Sequence, residues 1–449
     1  MTASYDVVVV GGRCAGSPLA AQLARAGLSV AVVDRAQFPS DTASTHIFQV
    51  EGVNCLARLG VLDAVLTTGA PWLERVDVRF DGFHADGAIP LRPADAGPGL
   101  CVRRHRLDAI LVEAAQAAGA EVHTATRVVG LLHEGARVTG VRVQAGDQER
   151  ELRARLVVGA DGAGSTVARL VGARSYSVVA NQRFGYWAYF EGAGWDSPAT
   201  LVYHRLNDDL VIAAPADSGL YLVIVLPALD GLAAFRSDVE AGWASVVARC
   251  EPVASALVGA RRVERFRSMA NYPAFFRESS GPGWVLVGDA GHVSDPTPGQ
   301  GISDALRQVD RLAPAIVAGL AGAEPLDDAM ARWWRWRDAD GAEMHWFASD
   351  LGAAGPVPAV ITTAMRRVGT QPGGLDHLID IFNHRLAPSQ VITPAGVMVA
   401  TADLLLSARG DRRGLVAQTC SVIREDLRRR RRNRRPRYQD HPTGTLGAP

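Results

Sequence analysis

The sequence predicts an α/β fold, because three segments each run from an apolar strand through a glycine- and aspartate-bearing turn into a helix. They lie at 7–16, 156–171 and 284–312. Short apolar runs bounded by turn residues read as buried strands, and apolar positions recurring every three or four residues read as helices. At 449 residues the chain exceeds what one core holds, so two or three structural units are expected.

The first forty residues give strand, turn, helix, strand. Residues 7–10 are four valines, Gly11, Gly12, Arg13, Cys14, Ala15 and Gly16 turn, and Ala15, Leu19, Leu23 and Ala26 recur at helical spacing. Pro18 falls in the first helical turn, where its missing N–H has no partner to lose. Gly27 stops the helix, 29–33 is the second strand, and Asp34 ends it, with Arg35 beside it as a further candidate contact. This is the order of a dinucleotide fingerprint, with Asp34 placed to accept from both hydroxyls of an adenosine ribose. The middle glycine of that fingerprint is Arg13 here. A side chain at that position either turns toward the phosphates, held by charge-assisted contact, or points to solvent while the turn adjusts.

The loop 40–46, SDTASTH, leads into a helix-like run at 50–59. His46 is its one ionisable ring, with an ordinary pKa close enough to neutrality for proton transfer; a hydrogen-bonded structural histidine is the alternative. Residues 102–108, VRRHRLD, open an amphipathic helix. The second turn, GADGAGS, carries Asp161 and Gly162 at the end of the strand-like 156–160. In the third, Gly288 and Asp289 end the apolar run 284–287, and Pro296, Pro298 and Gly299 fix an irregular loop before the helix after Gly301. Such a loop offers unpaired N–H groups and the positive end of a helix to whatever sits above it.

Between these segments, 175–272 alternates strand-like runs at 184–190, 210–214 and 221–225 with turn residues. Tyr186, Trp187, Tyr189, Phe190, Tyr203 and Tyr221 concentrate there as core or as the wall of a pocket. Beyond Asp327 the pattern is mostly helical, with Trp333, Trp334, Trp336, Trp346 and Phe347 expected to cap a pocket or pack subunits. The arginine-rich stretch 424–449, next to a Pro/Gly-rich end, reads as a solvated, disordered tail.

Composition excludes several functions. Balanced charge gives no nucleic-acid footprint, no run reaches membrane-spanning length, and the start lacks a signal peptide's basic and apolar regions, so a cytoplasmic protein is expected. Five scattered cysteines without CxxC, and histidines without HExxH spacing, indicate neither disulfides nor a metal site; His292 reads as structural. The chain contains no lysine, an expectation for a GC-rich bacterial genome, and this removes Schiff-base and Walker-lysine chemistry.

Together the three segments resemble the FAD-dependent monooxygenases of the para-hydroxybenzoate hydroxylase type, in the superfamily that also holds geranylgeranyl reductases and flavin halogenases. The resemblance covers residues 5–320. It implies a Rossmann-like FAD-binding domain (1–73, 102–174 and 273–326), an inserted β-sheet substrate domain (74–101 and 175–272), and a mostly helical C-terminal region (327–423). It further implies that Gly11, Gly12, Gly16 and Asp34 bind the ADP half, with Asp161 and Gly162 near the pyrophosphate. Gly288 and Asp289 would hold ribityl hydroxyls, while Pro296, Gly299, Gln300 and Gly301 lie beside the isoalloxazine ring. The helix start aimed at the pyrimidine edge would favour the anion of reduced flavin by roughly 0.3–1 kcal/mol. The R-x-x-L element at Arg104 and Leu107 would touch the ribityl and phosphate region, Val128 would offer its backbone to adenine or fill the core, and Ser44, Thr45 and His46 would approach the flavin.

The implied activity is monooxygenation: NAD(P)H reduces FAD, oxygen adds at flavin C4a, and the hydroperoxide hydroxylates or epoxidises a hydrophobic or aromatic small molecule. The alternatives are a geranylgeranyl-reductase-like enzyme that saturates an isoprenoid double bond, and a flavin-binding sensor or partner without turnover. A halogenase is disfavoured, because that branch relies on an active-site lysine and on a W-x-W-x-I-P order that 333–336 lacks.

Overall fold

The computed structural model describes residues 3–42, 44, 46–407 and 412–439. Its first sheet places Ser280–Gly281, Trp284–Leu286, Gln148–Gly159, Ala3–Val10, Val30–Val33 and Glu121–His123 side by side. All neighbours from Trp284–Leu286 to Glu121–His123 pair in parallel, with Val7 opposite both Leu156 and Val30. Parallel strands are covered on both faces, which is why the sequence shows unbroken valine rather than alternation. Val7 and Val9 join the core under the helices Gly16–Arg25 and Gly301–Leu320, whereas Val8 and Val10 join the opposite core with Val141, Val143 and Val167.

A second sheet runs in the order Arg261–Arg262, Gly185–Glu191, Tyr221–Leu226, Asp209–Pro215, Thr200–Leu206, Arg75–Phe80 and Phe83–Ala88. Its two faces divide the aromatic cluster. Tyr186, Phe190 and Tyr221 pack against the outer helices Leu232–Ser237, Val239–Val247 and Glu251–Ala256. Trp187, Tyr189 and Tyr203 occupy the other face with Ile212 and Ile224. The register makes Trp187, Ile224, Ile212 and Tyr203 one row across four strands.

The long helix Leu326–Gly352 packs on Gly301–Leu320, and three of its tryptophans donate to acceptors within the chain. Trp333 Nε1–H donates to the Gln308 carbonyl at 3.2 Å, Trp334 to the Tyr176 hydroxyl at 2.9 Å, and Trp346 to Asn433 Oδ1 at 3.0 Å. That last contact corrects the expected disordered tail over residues 424–439, and residues 440–449 lie outside the described residues. Residues Arg412–Arg434 form a helix, and Gln439 bonds back to Ser175 through both backbone groups, at 2.9 and 2.7 Å. Arg429 bonds both Asp350 oxygens at 2.7 and 2.6 Å with its guanidinium over the Trp346 ring. The run has partners some eighty residues away, which composition alone does not reveal.

Candidate functional site

In open α/β sheets ligands bind beyond the carboxyl ends of the strands, and the three motifs converge there. A Cβ placed on Gly11 would sit 2.9 Å from Asp161 Cα, and one on Gly288 would sit 3.0 Å from Ala15 Cβ. The first motif therefore touches both of the others. The helices Gly16–Arg25 and Gly301–Leu320 both begin here without a side-chain cap. Two uncapped helix starts facing one groove suit an anionic, phosphate-bearing ligand.

Asp34 is buried at the end of its strand, accepting the Gly12 amide at 2.7 Å and the Ala36 amide at 2.8 Å. Its neighbour Arg35 is exposed. Arg13 is held by protein partners. Its Nη1 donates to Asp108 Oδ2 at 2.5 Å and its Nη2 to Ser40 Oγ at 2.9 Å, with the guanidinium beside the Phe38 ring. Because Asp108 and Ser40 hold it, Arg13→Ala is expected to lower Tm while changing FAD affinity by less than about tenfold. A loss of tenfold or more in a flavin-fluorescence titration would put Arg13 on the phosphates instead.

Asp108 is fully buried and was missed by the sequence reading, although its i, i+4 spacing from Arg104 on one helix was visible. It accepts Arg104 Nη2 through both oxygens, at 3.0 and 3.1 Å. Arg104 is buried beside Asp108 and Asp289. Asp289 opens to the groove, yet the protein packed round it pushes its carboxyl up to about 6, with Arg104 pulling the other way. Such a carboxylate, facing a buried guanidinium at a strand end, has the donor chemistry to hold sugar or ribityl hydroxyls.

The other expected contact residues also have partners within the protein. Asp161 caps the helix Thr166–Leu170, accepting the Ser165 hydroxyl at 2.5 Å and the Thr166 amide at 2.6 Å, with Gly162 in the left-handed turn beside it. Val128 pairs with Val143 within the strand Arg127–Glu134 and packs in the core. Gln300 turns away from the groove: its Nε2 donates to the Phe382 carbonyl at 3.0 Å. The space above Gly299 and Gly301 stays open, and Gln49 Nε2 ties the 40s segment to this loop through the Pro298 carbonyl at 2.9 Å. Thr45 lies outside the described residues.

Ser44 and Pro296 meet the second sheet. With Trp187, Ile212, Ile224, Leu226 and Met269 they line a small recess of about 10 Å³ with no charged side chain among its described lining residues. His46 stands behind it, buried, with ring centroids 6.2 Å from Trp187 and 5.6 Å from Tyr189. Burial, reinforced by Arg104 and Arg103, lowers its pKa to about 3. This lowering favours a neutral imidazole over a near-neutral proton carrier, and the sequence could not show that two cationic side chains and an aromatic wall surround it.

Asp304, in the first turn of Gly301–Leu320, lies 3.1 Å from His384 Nε2 and 3.6 Å from Arg307 Nη1. Burial pushes its carboxyl up to about 7, against the pull of Arg307 and with the help of Asp340 and Asp289. A carboxyl whose folded pKa exceeds its unfolded value binds more protons when folded, so stability falls as pH rises from about 4 to about 7. Asp304→Asn removes that loss. Thermal melts should show a larger Tm gain at about pH 8 than at about pH 5, and the reverse order would refute the assignment.

Residues 4–329 match the FAD binding domain family. The chain belongs to that family. Among its relatives, the menaquinone reductase of Mycolicibacterium smegmatis is 31% identical over 332 residues, covering 71% of this chain and 77% of the relative. The rifampicin monooxygenase of Streptomyces venezuelae is 28% identical over 339 residues, covering 72% of this chain and 66% of the relative. A flavin-dependent brominase of known structure has the same fold, with a TM-score of 0.73 at 20% identity over 90% of this chain and all of that one. This FAD binding domain protein is an FAD-dependent oxidoreductase. The glycine turns, the uncapped helix starts and Asp289 fit FAD as the bound group.

Proposed function

We propose that the protein is an FAD monooxygenase that takes its electrons from NAD(P)H and adds oxygen to an uncharged, hydrophobic or aromatic small molecule. One observation supports this reading: Ser44, Pro296 and the row Trp187, Ile224 and Ile212 line an apolar recess of about 10 Å³ with no ionisable side chain among its described lining residues, which a substrate enters only if the loop or the sheet gives way. FAD, when bound, supplies the redox chemistry, accepting hydride and activating oxygen. The start of helix Gly301–Leu320 favours negative charge beside it. Arg104, Asp289 and the Gly11–Gly16 turn bind and orient the dinucleotide, and the apolar wall excludes water and holds the substrate against the loop. His46 keeps the imidazole uncharged behind that wall, so the pocket gains no cation near neutral pH.

A second reading, reduction of an isoprenoid double bond, is supported by relatives named as digeranylgeranylglycerophospholipid reductases, one of them 30% identical over 365 residues. The two separate in one experiment. With NAD(P)H and a panel of apolar arenes and polyisoprenoids, substrate-stimulated oxygen consumption with an oxygenated product supports the monooxygenase. Anaerobic loss of an alkene would replace it with the reductase. FAD binding without NAD(P)H oxidation under either condition would overturn both in favour of a non-catalytic flavoprotein.

A further inference from the structure

Helices Pro394–Ser407 and Arg412–Arg434 form a face that the oxidoreductase chemistry leaves unused. Helix Pro394–Ser407 buries Val397 and Ala400 against Val360 and Ala364. It turns Ala395, Met398, Val399, Ala402 and Leu406 outward, with Leu406 84% and Met398 58% exposed. Its one charged side chain, Asp403, is paired with Arg367, and a helix otherwise this apolar is normally covered on more than one side. Helix Arg412–Arg434 packs beside it, the Thr401 and Thr419 hydroxyls meeting at 3.2 Å and Val422 entering the same small core. Its outer stripe is Val416, Cys420, Ile423 and Leu427, at the spacing of one helix face, with Leu427 62% exposed.

The same segment, 412–439, carries eleven arginines against two carboxylates in a chain whose formal net charge is zero. Some of that charge is internally paired: Arg429 is held by Asp350, Arg428 by Glu425 and Arg430 by Asp426. Arg424, Arg431, Arg434 and Arg435 are exposed and have no carboxylate within ion-pair distance among the described residues. An outward apolar stripe flanked by uncompensated arginines is therefore presented to solvent.

We propose that this face docks on the surface of a bilayer containing anionic lipid. Apolar side chains entering at headgroup depth and arginines on lipid phosphates together give the two terms that hold an amphipathic helix in the interface. The charge selects this occupant. A second copy of the chain, docking by the same patch, would bring two uncompensated arginine runs together. A nucleic acid would engage the arginines and leave Met398, Leu406 and Leu427 uncovered. The inference is independent of which reaction the flavin performs.

The test is flotation of the full-length, FAD-loaded protein with vesicles of phosphatidylcholine alone and of phosphatidylcholine mixed with phosphatidylglycerol. Binding is expected with the anionic vesicles, weakening as salt is raised. Arg431→Ala and Arg435→Ala should each lower vesicle affinity about fivefold. Leu406→Ser with Leu427→Ser should lower it further, with flavin content and Tm unchanged because these side chains are exposed. No binding to anionic vesicles, equal binding to both kinds, or indifference to all four substitutions would overturn the proposal. So would salt-sensitive DNA binding without vesicle binding, or a dimer in sedimentation that Leu406→Ser dissolves.

Discussion

Gly11→Ala is expected to give a protein that does not retain FAD through gel filtration and melts several degrees below the parent. Gly11 has φ of +102°, where a Cβ costs roughly 1–2 kcal/mol in backbone strain alone. The added carbon would also meet the Ala160 carbonyl oxygen at 2.3 Å and its carbon at 2.6 Å. Those are backbone atoms of the neighbouring strand's end, so no rotamer change relieves the contact. Relief requires the first and second glycine turns to move apart, which opens the groove where the dinucleotide fits. Gly12→Ala is the control, since its Cβ would meet only side chains, the nearest at 3.4 Å. It should keep the parent's Tm, so that it separates a folding defect from a cofactor-binding one. A Gly11→Ala variant with the parent's flavin-to-protein absorbance ratio would show that the turn does not set the site.

The same close approach explains why this part of the fold was legible in the sequence. Parallel strands buried on both faces leave continuous apolar runs, and each run here stops at a glycine or aspartate whose backbone requirement is local. The strand ends, the helix after Gly301 and the second sheet follow from such local signals. What the sequence hid depends on partners distant along the chain. Arg13 meets Asp108 ninety-five positions later, Gln300 meets Phe382, and the arginine-rich helix meets Asp350 and Trp346. His46 is the sharpest case, because its residue type suggested proton transfer and its surroundings, Arg103, Arg104, Trp187 and Tyr189, withdraw it. The aromatic cluster was half legible: strand alternation places Trp187 and Tyr189 on one face and Tyr186 and Phe190 on the other, but that the Trp187 face meets Ser44 and Pro296 depends on residues far along the chain.

Asp108→Ala should be the most destabilising single substitution at the site, by about 3–5 kcal/mol, because it leaves a buried guanidinium unpaired. Asp108 is the carboxylate shared by Arg104, Arg13 and the Cys14 thiol, which lies 3.4 Å away. Without it, Arg104 retains only Asp289 as a facing negative charge. Replacing both partners, as in Arg104→Met with Asp108→Leu, removes the unpaired charge and should recover most of the stability; a double-mutant cycle then measures the coupling. The two variants also separate a structural role from a cofactor role. If Arg104 faces the dinucleotide, added FAD supplies the missing anion, so FAD should raise the Tm of Asp108→Ala by more than it raises that of the parent. The double variant should lose this excess along with the guanidinium. Equal FAD-dependent Tm gains in all three proteins would confine Arg104 and Asp108 to holding the helix Arg104–Ala117 against the first glycine turn.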